Sequence, residues 1–169
     1  MSHSNNQDLL NKLAFSASTN DLLARLETFE DNKNFYTKDR GYAFEEHLHE
    51  NTRGFLRHRL GYYTEPEYLG EIPVMIFSPT IVNDGRRLLI SSQSMHFLTE
   101  SYSNNLQVAN SYGEIDFQTF FKNNDPQGIR FSSVLRTSST FPFIMPMVTM
   151  PTFPEMQVMD AGIRDNYGM

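Results

Sequence analysis

The sequence predicts a single α/β domain in which helices pack in layers against a central sheet. Two observations indicate this class. Apolar residues recur at helical spacing before residue 61, and the continuous apolar run 72–82 has the composition of a buried strand, followed by further helical segments and short strands. Helices that alternate with buried strands are typical of layered α/β domains. The 169 residues are enough to bury the core of one such domain, which we expect to span 1–169.

The N-terminal part of the chain is polar and weakly patterned. Residues 1–7 are expected to be disordered. Short helices are predicted over 8–13 and after the N-cap candidates at 18–21, and the polar segment 30–38 is predicted to be a loop.

The clearest helical periodicity lies between residues 41 and 60. Gly54 is a weak point in this predicted helix, and Gly61 is its expected end. The side chains expected to form its core stripe share one helix face: Phe44, Leu48, Leu56 and Leu60.

The second half of the chain begins with the run 72–82, predicted as a strand covered on both faces because it shows little alternation. The other predicted elements are a turn at 83–85, an antiparallel strand over 87–91, helices over 93–100, 115–121 and 129–140, a loop over 123–128, and a strand over 155–160.

Composition excludes several classes of function. Fourteen Lys and Arg against twenty Asp and Glu give a formal net charge of −6, which argues against nucleic-acid binding because that normally requires a basic face. Without cysteine there is no disulfide, thiolate metal site or cysteine nucleophile. Residues 1–20 lack a signal-peptide pattern, and the apolar stretch 141–154 is too short and proline-rich to span a bilayer. The compartment is left open, with the cytoplasm or a membrane periphery as a guess.

Histidines and arginines are candidate ligands. His47 and His49 are two residues apart on the predicted helix, so they cannot chelate one ion together, and no H-E-x-x-H motif is present. We expect them, with His58, to lie on a solvated helix face. Arg86 and Arg87 are expected to be surface charges.

The most specific pattern lies after residue 130. A helix rich in small residues ends in Phe-Pro, an apolar loop and a strand follow, and then come Asp160-Ala161-Gly162 and Asn166. This order resembles the distal part of the patatin-like phospholipase domain, where an Asp-Gly-Gly or Asp-Gly-Ala turn closes a strand. The segment 72–92 is similar to the central strand and hairpin of that family, so the resemblance covers about residues 40–169.

The resemblance implies a three-layer patatin-like sandwich with a mainly parallel central sheet, incomplete in this chain. It also implies a lipid acyl hydrolase that cleaves fatty-acyl esters with a Ser–Asp dyad and needs no metal or organic cofactor. Asp160 then corresponds to the catalytic carboxylate, Ala161 and Gly162 to the turn beside it, and Asn166 to a structural asparagine.

The apolar loop before the last strand has two interpretations. Phe143, Met145 and Met147 are candidate substrate-binding residues for an acyl chain. The alternative is that they fill the core beneath the sheet, since methionine adapts to irregular gaps.

The chain departs from the family pattern in one decisive respect. It contains no G-x-S-x-G elbow and no Gly-rich oxyanion loop, and Ser78, Ser138 and Ser139 lack a glycine elbow. We therefore expect a fragment that carries only the Asp part and is inactive alone, the serine being supplied by a segment N-terminal to Met1.

Two rival hypotheses stay open: a non-catalytic interaction module that kept the scaffold, and an unrelated α/β binding protein in which Asp160 only closes a turn. The expected partners are a phospholipid or other acyl-ester substrate, a peripheral membrane contact and a second copy bound through an open sheet edge, but no nucleic acid.

Overall fold

The computed structural model describes residues 11, 27–99, 113–141 and 144–163. The predictions for residues 1–7, 8–13 and 18–21 therefore lie largely or wholly outside the described residues. The strands are β1 (Thr28–Asp31), β2 (Asn34–Thr37), β3 (Thr80–Ile81), β4 (Arg87–Leu89), β5 (Glu114–Asp116), β6 (Val148–Met150) and β7 (Met156–Met159). The α-helices after residue 27 are α1 (Arg40–Asn51), α2 (Thr64–Tyr68), α3 (His96–Thr99), α4 (Phe117–Phe120) and α5 (Phe131–Thr137). Single 3-10 turns lie at Phe55–Arg57, Leu60–Tyr63, Pro126–Gly128 and Ala161–Ile163.

Five strands form a mixed sheet in the order β5-β4-β3-β7-β6, so the α/β class is confirmed. Only β4 and β5 pair in parallel, whereas β3–β4, β3–β7 and β6–β7 are antiparallel. The expectation of a mainly parallel sheet is therefore wrong for the described strands. The links at 82–86 and 151–155 are too short for a crossover and force antiparallel neighbours, while the link at 90–113 is long enough for a parallel one.

The central hairpin is confirmed in position but not in extent. Strand β3 returns as β4 through a turn in which Gly85 has φ +75°. The predicted long strand over 72–82 is wrong for most of its length: only β3 and a single bridge between Phe77 and Ile90 are paired. Pro73 and Pro79 lack the N–H donors that a continuous strand would need at these points.

The predicted loop at 30–38 is wrong, because β1 and β2 form an antiparallel hairpin. Its two-residue connection consists of Asn32 and Lys33, with φ +49° and +65°. Positive φ at both central residues is the geometry of a tight hairpin turn whose twist matches the strands. The sequence gives only a weak signal for it, since glycine occupies neither position.

Helix α1 begins as predicted but ends earlier. Asp39 caps its first turn by accepting a hydrogen bond from Tyr42 N at 2.9 Å. Gly54, with φ +82° shortly after the last helical residue, supplies the left-handed conformation that follows the helix end, so the chain leaves the helix there and not at Gly61.

His47 and His49 are buried, with only 5% and 3% of their surfaces exposed. The expectation of a solvated histidine face is therefore wrong for both residues. Residues two apart on an α-helix point roughly 200° apart, so α1 must be covered on two sides. The Nδ1 atom of His49 lies 3.3 Å from Glu46 Oε1, and that of His47 lies 3.8 Å from Glu50 Oε2.

The core lies between the five-stranded sheet, α5 and the 3-10 turn at Leu60–Tyr63. Leu60 is fully buried, as predicted, and Leu56 packs against the core, but Phe44 and Leu48 are only partly buried. Helix α5 confirms the helix predicted to end before Pro142, and β7 confirms the strand predicted over 155–160. Side chains at the centre of the core are almost fully enclosed: Ile81, Leu88, Ile90, Val134, Met150 and Val158.

Candidate functional site

Asp160 directly follows β7, an interior strand of the sheet, and begins the turn that contains Ala161 and Gly162. Its Oδ1 atom accepts a hydrogen bond from Gly162 N at 2.8 Å, and its own N–H donates to Thr140 O at 3.4 Å. Among the described residues, no hydroxyl donates to this carboxylate. The local geometry is that of an aspartate whose side chain closes the turn that follows it.

The structure describes only some of the other predicted site residues. Met145 is buried and Met147 lines a cleft that Asp160 does not line. Phe143 and Asn166 lie outside the described residues.

The candidate serines of the sequence have no carboxylate within hydrogen-bond distance in the described part of the chain. Ser138 and Ser139 are exposed at the end of α5, and the Oγ atom of Ser139 donates to Leu135 O at 3.4 Å. Ser78 lies in the partly buried segment before β3. Other hydroxyl groups do contact carboxylates.

Asp116, the N-cap of α4, accepts the most hydrogen bonds of these carboxylates. It accepts hydrogen bonds from Met95 N, Thr119 N and the hydroxyls of Ser94 and Thr119, at 2.6 to 3.1 Å. Burial by itself would raise the pKa of Asp116, but these hydrogen bonds together outweigh burial and lower it. A carboxylate held ionised by four donors is a poor general base for Ser94, so the pair has a structural role.

Glu67 and Ser92 form a second pair, which is enclosed. Both residues are buried, and Ser92 Oγ donates to Glu67 Oε2 while Met75 N donates to Glu67 Oε1 at 3.2 Å. The contact ties α2 to the segment that follows β4. No substrate can reach this serine without local opening, so the pair is a packing element.

Glu45 forms a third cluster between α1 and α5. Its Oε2 atom accepts from Ser133 at 2.9 Å and from Ser132 at 3.3 Å, and its Oε1 atom lies 3.2 Å from Arg136 Nη1. Gly41 permits the close approach, because a Cβ atom at this position would overlap the Arg136 guanidinium. The Arg136 Nε atom is buried without a hydrogen-bond partner in the described part of the chain. This cluster borders a cleft.

The inner cleft is a cavity of about 200 Å³ between the β1–β2 hairpin, α5 and β6. Its lining combines aromatic rings with charged groups. The residues that define its chemistry are Tyr36, Asp39, Glu45, Phe121, Asp125 and Arg136.

The outer cleft is a wider space of about 900 Å³ along β2 and β6. It shares Asn34, Tyr36, Thr37 and other residues with the inner cleft. The residues that distinguish it are Phe35, Phe120, Thr152, Phe153 and Glu155.

Asp31 attaches the hairpin to the rest of the domain. Its Oδ1 atom lies 2.6 Å from Arg59 Nη2, and its Oδ2 atom lies 3.1 Å from Arg130 Nε. Tyr36, on the neighbouring strand, has a raised pKa because of burial and the negative charge of Asp31, which outweigh the opposing effect of Arg130. The Tyr36 phenol therefore stays protonated at neutral pH, as a donor beside the clefts.

Sequence reasoning missed both strands that border the clefts. Segment 30–38 contains Phe35, Tyr36 and Thr37, residue types that favour strands, but apolar and polar residues do not alternate there and the segment is polar overall. Residues 148–150 were assigned to an apolar loop because prolines flank them.

The described residues show no group of three or more His, Cys, Asp or Glu side chains arranged to hold a metal ion. Among the helices that the structure describes, none combines the length and apolar character that a bilayer crossing requires. Comparison with known proteins gives no match, since no family model, no curated protein and no solved structure is similar to this chain at a significant level.

Proposed function

We propose that this chain is a non-catalytic interaction module whose ligand binds in the inner and outer clefts. One observation carries the proposal: the clefts lie between two strands, β2 and β6, each of which pairs with only one other strand among the described residues. An unpaired strand edge presents main-chain donors and acceptors that a ligand can satisfy. Exposed aromatic rings beside those edges add apolar area for contact.

The hydroxyl–carboxylate pairs support the same conclusion, because each is either already fully engaged or buried. Asp116 is saturated with donors, Glu67 is buried with Ser92, and Glu45 is paired with Arg136. A nucleophilic serine needs an available base and an exposed oxygen. None of these three pairs offers both.

The proposal is tested by nuclear magnetic resonance on the isotope-labelled full chain, titrated with a fragment library and a pool of short peptides. We expect bound ligands to shift the amide signals of Tyr36 and Thr149 and to leave those of Leu88 unchanged. Ligands that shift residues only outside both clefts, or no ligand at all, would overturn the proposal.

A lipid acyl hydrolase is the second candidate, and the position of Asp160 at the carboxyl end of an interior strand is the observation that favours it. Under this hypothesis the fold is a patatin-like three-layer sandwich and Asp160 pairs with a serine that the described geometry does not supply. Phe143, Met145 and Met147 then contact the acyl chain of a phospholipid or other ester at a membrane surface.

The hydrolase hypothesis is tested with p-nitrophenyl esters of short and long acyl chains. Turnover by the purified chain that disappears in Asp160→Asn, while the variant keeps the same thermal unfolding, would replace the interaction module by the enzyme. We expect no turnover above that of a buffer blank.

A further inference from the structure

The main chain of β6 faces the clefts at Thr149. Opposite it in β7, Gln157 donates its N–H to Asn83 Oδ1 at 3.0 Å and accepts from Val82 N at 2.8 Å, so both groups of Gln157 point towards β3. Thr149 and Gln157 are direct partners in the antiparallel ladder. When the main-chain N–H and C=O of one residue in such a pair point away from the partner strand, those of the residue opposite it do so as well. The N–H and C=O of Thr149 therefore point away from β7, to the edge of β6 that pairs with no described strand.

The main chain of β2 faces the outer cleft at Phe35. The two-residue hairpin connection makes Asp31 and Asn34 the closing hydrogen-bonded pair. Alternation along the ladder then makes Glu30 and Phe35 a pair without mutual hydrogen bonds, with the N–H and C=O of Phe35 on the outer edge. Within the described residues, neither Phe35 nor Thr149 has a hydrogen bond on this edge.

Three large aromatic side chains border the same space. Phe35 is 74% exposed, Phe153 is fully exposed and Phe120 is about half exposed, and all three line the outer cleft. Such a cluster costs free energy in water unless a ligand covers it. An extended segment inserted here would bring every second side chain against these rings.

The charges along the clefts are predominantly negative. In the inner cleft, Asp39 and Glu45 share the single guanidinium of Arg136, which lies 3.7 Å and 3.2 Å from them. Asp125 and, in the outer cleft, Glu155 have no ion pair within the described part of the chain. Basic side chains on a ligand would complement these two carboxylates.

We infer that the ligand of these clefts is an extended segment of a partner protein, alternating apolar and basic residues, that adds as a strand between β2 and β6. The inference rests on the proposed interaction module and specifies its ligand. The main chains of Phe35 and Thr149 supply the hydrogen bonds, Phe35, Phe120 and Phe153 receive the apolar side chains, and Asp125 and Glu155 receive the basic ones.

The probe is a fluorescent peptide of about six residues, a usual strand length, that alternates valine and lysine. It is titrated with the full chain and compared with two matched peptides: one with alternating valine and glutamate, and one in which alternate amides are N-methylated. We expect saturable binding of the lysine peptide, about tenfold weaker binding of the N-methylated peptide, and no binding of the glutamate peptide. Higher salt should weaken binding.

Two protein variants locate the contact. Thr149→Pro removes the outward N–H of β6 without removing a ladder hydrogen bond. We expect it to weaken the binding of the lysine peptide by about tenfold. Thr149→Val keeps the N–H and should bind like the original chain. If Thr149→Pro fails to fold, as judged by circular dichroism, strand addition is still tested by comparing how the parent and N-methylated peptides bind the unmodified chain.

Each other outcome overturns the inference. Equal binding of the N-methylated and parent peptides excludes strand addition, and equal binding of the glutamate peptide excludes the charge complementarity. If the chain sediments as a dimer that Thr149→Pro dissociates, and no peptide binds, the occupant of the clefts is a second copy of this chain. If the lysine peptide does not bind but other ligands still shift the amide signals of Tyr36 and Thr149, the strand-addition inference is wrong and the interaction module stands. If no ligand shifts these signals, both the inference and the interaction module are wrong.

Discussion

The five-stranded sheet and the β1–β2 hairpin are both β structure, but different forces hold them in the domain. The sheet is held by enclosed apolar side chains such as Ile90 and Val158. The contacts that hold the hairpin are mainly polar and partly exposed: Asp31 lies between Arg59 and Arg130, Asn32 Nδ2 donates to Asp125 Oδ2 at 3.3 Å, and the Phe29 ring lies 5.0 Å from the Arg130 guanidinium and 4.7 Å from the Tyr42 ring. Apolar burial is not screened by salt, whereas partly exposed ion pairs are weak and screened.

This difference bears directly on the clefts, because one wall belongs to each region. Strand β6 is part of the apolar sheet, and β2 is part of the ion-paired hairpin. We expect the β6 wall to be rigid and the β2 wall to open at a lower cost in free energy.

Ile90→Ala removes a fully buried side chain from the centre of the core. We expect the free energy of unfolding to fall by about 2–5 kcal/mol, because the substitution loses apolar burial and leaves a cavity. Urea unfolding followed by circular dichroism measures the change. Val82→Ala, at a position that is about half exposed, is the matched control and should change stability by about 0.5 kcal/mol or less. Similar losses in both variants would contradict the core assignment.

Asp116→Ala should have the next largest effect. The substitution removes the N-cap of α4 and leaves the Met95 and Thr119 amides without their acceptor, at a cost of about 2–3 kcal/mol. Asp116→Asn keeps one acceptor oxygen and should cost less. Equal losses in the two variants would show that the charge alone matters.

The same residue makes stability depend on pH. The pKa of Asp116 is lowered in the folded chain, so its stabilising contribution is complete well above the unfolded value of 3.8. It is lost as the pH falls below that value and through the lower folded pKa, because the unfolded chain then binds the proton first. Urea titrations at a series of acidic pH values should show a loss that is smaller in Asp116→Asn. An identical pH profile in the variant would contradict this linkage.

The sequence predicted those parts of the fold that depend on local signals. Asn83-Asp84-Gly85 predicted the β3–β4 turn and Pro142 the limit of α5, because glycine and proline constrain the backbone wherever they occur. The burial of His49 was not predictable, since it depends on which elements cover α1.

The candidate site was missed for the same physical reason. Strands β2 and β6 are short, and their contribution to the clefts arises only when residues more than one hundred positions apart meet. Phe35 and Thr149 carry no motif, because their role comes from the direction of their main-chain groups.

Asp31→Asn tests the attachment of the hairpin. We expect a global loss of only about 1 kcal/mol, since Arg59 is substantially exposed, but a larger local effect. Amide hydrogen exchange should become faster at Tyr36 and stay unchanged at Leu88. In the unmodified chain, high salt should reproduce part of this change. Equal acceleration at both amides would mean that the hairpin and sheet open together.

Lys38→Met has the smallest expected effect. It tests whether the burial of an ion pair determines how much that pair stabilises the hairpin. Lys38 Nζ lies 3.2 Å from Glu27 Oε2, a distance comparable to the 3.1 Å between Asp31 and Arg130, but both side chains are more exposed than those of the Asp31–Arg130 pair. Methionine keeps the apolar stem, so the substitution isolates the charge. An exposed pair pays side-chain entropy for a screened attraction, and we expect a change of about 0.5 kcal/mol or less in urea unfolding. Exchange at Tyr36 should also be unaffected. If Lys38→Met accelerates that exchange as much as Asp31→Asn does, the hairpin is held by the number of its ion pairs and not by the burial of one carboxylate, and the contrast between the two regions loses its basis.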